Sequence, residues 1–119
     1  MTLTQATQFV MEVCLALQLS TCPTVIDKVD NRKDYKAKAV AAKKGDTGEI
    51  YYRIELTPLF YKRSNKVQKE TLIHEIAHVA LYDKEDYHHN HNHKWKRSCK
   101  KIAKDHNISG RLACREFCN

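Results

Sequence analysis

The sequence predicts an α+β domain. An N-terminal helix and a second, buried helix pack on a small antiparallel sheet of about three strands, and a basic C-terminal helix closes one end. Three observations predict it. Residues 3–19 and 65–82 carry apolar side chains at helical spacing, the second stretch on most sides. Between them, residues 24–56 hold short runs with strand character separated by turn signals. After them, residues 93–106 combine an apolar stripe with many lysines.

The first helix is read from Leu3, Ala6, Phe9, Val10, Val13 and Leu17, a 3–4 spacing, with Thr2 and Gln5 able to form a capping box. It has no basic leading region and polar residues interrupt it, so it reads as an amphipathic helix and not as a signal peptide. Pro23 breaks the chain. "TVIDKV" (24–29) alternates like a short strand, and "NRKD" (31–34) reads as a turn. "YKAKAVAAK" (35–43) begins as alternation, although Ala and Lys are poor strand formers. "KGDTGE" is a turn with two glycines, and "EIYYRIEL" (49–56) is rich in aromatic and β-branched residues, so the two runs form a hairpin that Pro58 ends. Asn65, with Gln68 three residues on, is the expected N-cap of a helix that runs to about Tyr82. Residues 83–92 are too polar for a core and form a loop. In the last helix Trp95, Cys99, Ile102 and Ala103 face inward.

A chain of 119 residues holds one domain with one modest core, expected over residues 1–119. Glycine and proline are too scarce for a collagenous or low-complexity chain, and no apolar run is long enough to span a membrane. The five cysteines are an odd number at irregular spacing, which points to reduced thiols inside a cell. Cys114 and Cys118 have no second pair to complete a zinc ribbon. The net charge of +7 supports solubility and also favours polyanions such as nucleic acid.

The chemistry lies in "TLIHEIAHVALYD" (71–83). On a helix, positions i and i+4 share a face, so His74 and His78 present two imidazoles to one point. Glu75 sits beside the first and can reach a water there without being a ligand. This is H-E-x-x-H: two zinc ligands and a general base in one helical turn. Two histidines and a glutamate in an otherwise apolar helix are costly unless something satisfies them, and a metal does so. Catalytic zinc takes three protein ligands and leaves a position open. The H-E-x-x-H-x-x-G-x-x-H arrangement fails, because Leu81 and Lys84 stand where it needs glycine and histidine. A glutamate on the following helix also fails, since residues 93–106 contain none. His88, His89, His91 and His93 remain.

At this point the chain resembles the SprT-like metalloproteases, which include the DNA-repair protease Spartan. "HEIAH" (74–78) is followed by twelve residues and then "HNHKW" (91–95), similar to the family's third histidine in an H-G-x-x-[W/F] context opening a basic helix. Asn92 replaces the glycine, and asparagine accepts a left-handed backbone better than most residues. The passage from "IELTPLF" to "ETLIHEIAHVAL", and the helix "KWKRSCKKIAK", look like the family's elements in the same order. The resemblance implies a minimal zincin-like protease core with one Zn²⁺ per chain. Its ligands are His74, His78 and His91, with His93 as the rival third ligand and His88 and His89 in a solvated loop. Glu75 is the implied general base, and Trp95 a packing anchor under the third ligand.

The resemblance further implies an intracellular zinc endopeptidase that acts on DNA-bound or DNA-crosslinked proteins. Lys94, Arg97, Lys101 and Lys104 then form a basic face for single-stranded or junction-containing DNA. Neither the family's C-terminal zinc ribbon nor Spartan's regulatory tail is expected. Tyr82, Tyr87 and His93 are candidates for stabilising the oxyanion. A second reading keeps the fold as a zinc-stabilised DNA- or protein-binding module without turnover. Oligomeric state is left open.

Overall fold

The computed structural model describes residues 1–28 and 35–115. Along the described chain the elements are α1 (Leu3–Ala16), β1 (Thr24–Asp27), β2 (Ala37–Lys43), β3 (Ile50–Leu56), α2 (Pro58–Tyr61), α3 (Asn65–Tyr82), α4 (His93–Asp105) and α5 (Gly110–Ala113). The α+β class holds. The turn expected at residues 31–34 lies outside the described residues.

α1 starts with the expected capping box: Thr2 Oγ1 accepts the Gln5 amide at 3.1 Å and Gln5 Oε1 accepts the Thr2 amide at 2.8 Å. It ends earlier than residue 19. Gln18 adopts φ +56, the Leu19 amide bonds back to the Cys14 carbonyl, and that reversal terminates the helix. Ala6, Val10, Val13 and Cys14 form its buried stripe.

The sheet order is β1-β3-β2. β2 and β3 form the expected antiparallel hairpin, with Ala39 opposite Ile54. β1 corrects the expectation of a wholly antiparallel sheet: it pairs with the other side of β3 in parallel, Thr24 to Arg53 through Asp27 to Leu56. Alternation identifies a strand but not the neighbour it chooses or the direction in which it pairs. The result puts β3 in the centre and leaves β2 as an edge.

α3 is the hub. Every residue from Glu70 to Leu81 is buried, and the helix packs against α1, β2, α4 and α5. A helix covered on nearly all sides needs apolar residues on nearly all sides, which is how its sequence reads. Its cap is Ser64, whose Oγ accepts the Val67 amide, and not Asn65, which is the first helical residue. Both residue types cap well, so adjacent candidates differ only in tertiary context. Ala37 and Ala39 face α3 from β2 and are buried; their small side chains let the helix come close to the strand backbone.

α2 and α5 were not expected, since one helical turn is too short to show a periodicity. α2 begins at Pro58 and buries Phe60 completely. α5 is tied to α4 by a Cys99–Cys114 disulfide, which corrects the expectation of reduced thiols throughout. Cys14 is a buried free thiol and Cys22 an exposed one. No described helix is long and apolar enough to cross a membrane.

Candidate metal centre

α3 carries His74 and His78 one turn apart, both nearly or fully buried, with ring centroids 5.2 Å apart. The loop after α3 returns His91 to them. His91 Nε2 lies 3.1 Å from His74 Nε2 and 3.1 Å from His78 Nε2. One ligand atom from each of these three residues falls within 4.8 Å of the others, and this is the metal-competent group found among the described residues. His93 is exposed at the first turn of α4, and His88 is exposed in the loop; neither joins the group.

Trp95 lies fully buried beneath the cluster, its ring 4.6 Å from His74, 5.1 Å from His78 and 4.6 Å from His91. α4 is set in place by Asn92, whose side chain accepts the Trp95 amide at 3.1 Å. Asn92 has φ −71, so its value at this position is as an N-cap and not as a left-handed residue. The left-handed position is Asn90, at φ +47.

The nitrogens fit a metal. The Ala113 carbonyl sits 2.9 Å from His74 Nδ1 and can only accept, so it assigns the proton to Nδ1 and leaves Nε2 bare. A single proton on His91 Nε2 can serve one of its two 3.1 Å neighbours, not both. Protons therefore do not close the cluster, whereas a cation does. Three imidazoles about a tetrahedral zinc at ~2.1 Å would stand roughly 3.4 Å apart, close to the two 3.1 Å separations to His91. Burial also keeps His74 and His78 neutral. It lowers His74 to about 4, against a smaller opposing effect of the Ala113 carbonyl. It lowers His78 to about 2, reinforced by the neighbouring histidines.

Glu75 is buried beside them. Oε1 accepts the Ala39 amide at 2.9 Å, an edge-strand N–H that β3 does not use. Oε2 has no hydrogen-bond partner and lies 3.9 Å from His74 Nε2. Since burial holds His74 neutral, that approach is proximity and not an ion pair. Burial raises the Glu75 carboxyl to about 8, opposed by the Ala39 amide and by Lys36. A cleft of about 220 Å³ opens over Glu75, His78 and His91, with Tyr82 and Tyr87 in its wall; His93 does not line it.

His89 corrects the expectation that it is solvated: it is 3% exposed, with Nε2 2.7 Å from His78 Nδ1. Sequence reasoning missed it because one more histidine in a polar loop has no periodic signal. It also missed the Ala39 amide and the Ala113 carbonyl, which are backbone groups of distant segments. Lys94, Arg97, Lys101 and Lys104 are all exposed on α4. The first three line a groove that also includes Leu81 and Asp83 of α3's end; Lys104 lies outside it.

The SprT-like family model matches residues 15–113, most of the chain and all of the cluster. No curated protein and no solved structure matches.

Proposed function

This chain belongs to the SprT-like family, a family of metalloprotease type, and on that premise we propose that it is a zinc-dependent endopeptidase cleaving DNA-bound or DNA-crosslinked proteins. The observation that carries the reading is the meeting of three imidazole nitrogens beside a buried carboxylate with one unpartnered oxygen.

His74, His78 and His91 would hold one Zn²⁺, which when bound supplies Lewis-acid polarisation of a carbonyl and lowers the pKa of water. Glu75 does the proton work. Its Oε1 is anchored by Ala39, so Oε2 is the atom that takes a proton from water and returns it to the leaving amine. A zinc-stabilised binding module has no need for that carboxylate, and burying it with one oxygen unpartnered is costly, which favours the enzyme. Tyr82 and Tyr87 share the cleft and are the candidates for stabilising the oxyanion.

The exposed basic face of α4 supports the DNA-directed part of the reading. That part implies a protein working inside a cell, where the Cys99–Cys114 bond meets reductants. The test is cleavage of a DNA-binding protein by wild type and Glu75→Gln, with and without single-stranded DNA, alongside metal analysis. The expected result is cleavage by wild type only, with one zinc in each. Equal behaviour of the two zinc-loaded proteins sinks the protease reading.

A further inference from the structure

His89 is more buried than His78 and His91 and nearly as buried as His74, yet it is not a member of the cluster. Its two ring nitrogens are both engaged. Nδ1 lies 2.9 Å from the Asp86 carbonyl and Nε2 lies 2.7 Å from His78 Nδ1. The His78 and His89 planes differ by 28° and their centroids are 4.9 Å apart. With nitrogens at 2.7 Å, that is two nearly coplanar rings joined edge to edge, the geometry of a hydrogen bond and not of stacked faces.

The direction of each bond follows from one fixed point. A carbonyl oxygen only accepts, so His89 Nδ1 bears the proton it gives to Asp86. The neutral ring then has a bare Nε2, which accepts from His78 Nδ1–H. His78 in turn has a bare Nε2, and that is the nitrogen facing His91. The Asp86 carbonyl is itself held in register with His78. Glu85 adopts φ +65 and the Asp86 amide bonds to the Leu81 carbonyl at 2.9 Å, so the turn is stapled to the end of the helix that carries His78. Tyr82, one turn after His78, covers the His89 ring at 5.3 Å.

We propose that His89 is a positioning residue: relayed from the Asp86 carbonyl, it fixes His78 in the tautomer and orientation that turn its Nε2 toward a metal. His74 receives the same service from a backbone carbonyl, that of Ala113. His78 has a second imidazole in that place, so two of the three nitrogens are aimed by partners outside the cluster. The inference rests on the metal-centre reading above and adds to it a role for a residue that touches neither metal nor substrate.

The experiment uses the full chain and zinc alone. Zinc affinity is measured by competition with a chromophoric chelator for wild type, His89→Phe and His89→Gln. Phenylalanine keeps a ring and loses the acceptor; glutamine restores an acceptor at the same distance along the side chain. His89→Phe is expected to bind zinc about 10–100-fold more weakly, and His89→Gln to recover most of that affinity. In parallel, long-range proton–nitrogen spectra of the metal-free wild type are expected to show His78 and His89 each protonated at Nδ1. A folded His89→Phe that binds zinc as wild type does overturns the proposal, as does equal weakening in both variants, which would make His89 packing only. If neither variant folds, the wild-type spectra decide, and a proton on His78 Nε2 overturns it. A wild type that holds no zinc sinks the metal-centre reading and this inference together, an outcome distinct from the others.

Discussion

Glu75 Oε1 accepts the backbone amide of Ala39 at 2.9 Å, joining the middle of α3 to the free edge of the sheet across 36 residues of sequence. The bond leaves Oε2 buried and unpartnered next to the imidazole cluster. The fold thus holds a carboxylate where its ionised form is disfavoured.

Replacing Glu75 by glutamine should therefore separate stability from activity. The amide oxygen can still accept from Ala39, and a neutral group no longer bears the cost of buried charge. In metal-free protein above pH 8 the variant is expected to be more stable than wild type by on the order of 2 kcal/mol, measured by urea unfolding. Cleavage should fall by about 10²-fold or more. A destabilised variant at that pH would show that the charge is solvated after all.

The ligand set is tested by single alanines. His91→Ala is expected to lose zinc, while His93→Ala, at an exposed position of the first turn of α4, retains it. Bound zinc after gel filtration is the readout. The reverse result means that the loop after α3 is registered differently.

Acidification should destabilise the metal-free protein. His74 and His78 have folded pKa values below the unfolded 6.5, so between about pH 6.5 and 4 the unfolded chain binds more protons and stability falls as pH falls. Glu75 works the other way: its folded value is above the unfolded 4.5, so its contribution declines as pH rises from 4.5 to 8. Two groups against one below pH 6.5, and one alone above it, put the stability maximum of metal-free protein near pH 6.5. Thermal melts across the range from about pH 4.5 to 8 check the position of the maximum.

Reduction of Cys99–Cys114 should loosen the site as well as the fold. The cross-link spans 15 residues, for which chain entropy suggests roughly 3 kcal/mol. The Ala113 carbonyl that orients His74 is next to Cys114. Dithiothreitol, or the double Cys99→Ser and Cys114→Ser variant, is expected to lower the melting temperature and weaken zinc binding. Unchanged zinc affinity in the reduced, folded protein would separate the disulfide from the site.

Charge reversal on α4 should weaken single-stranded DNA binding without unfolding the chain. Lys94→Glu, Arg97→Glu and Lys101→Glu alter exposed positions. Fluorescence anisotropy should show weaker binding and a shallower salt dependence, by about 0.7 in slope for each phosphate that is no longer neutralised. Equal salt slopes in wild type and the triple variant would remove this face from any role in holding nucleic acid.

The sequence by itself determined the elements whose signal is local. α1 showed its stripe and its capping box, β3 its β-branched and aromatic run, and α3 its all-round apolar character together with H-E-x-x-H. In each case the information lies within one or two turns of helix or along one strand, where spacing alone decides which side chains share a face. It also narrowed the third imidazole to the four histidines between positions 88 and 93, of which the family resemblance singled out His91. Tertiary structure alone decided the rest. The path that brings His91 to His74 and His78 runs through the turn at Glu85 and the cap at Asn92. The parallel pairing of β1, the burial of His89, the Cys99–Cys114 link, and the Ala39 and Ala113 backbone groups all join segments that are distant in sequence. The amide that holds Glu75 and the carbonyl that aims His74 belong to alanines, whose side chains reveal nothing of them. Every residue but proline has that same donor and every residue that same acceptor, so only the packing of β2 and α5 on α3 could select these two.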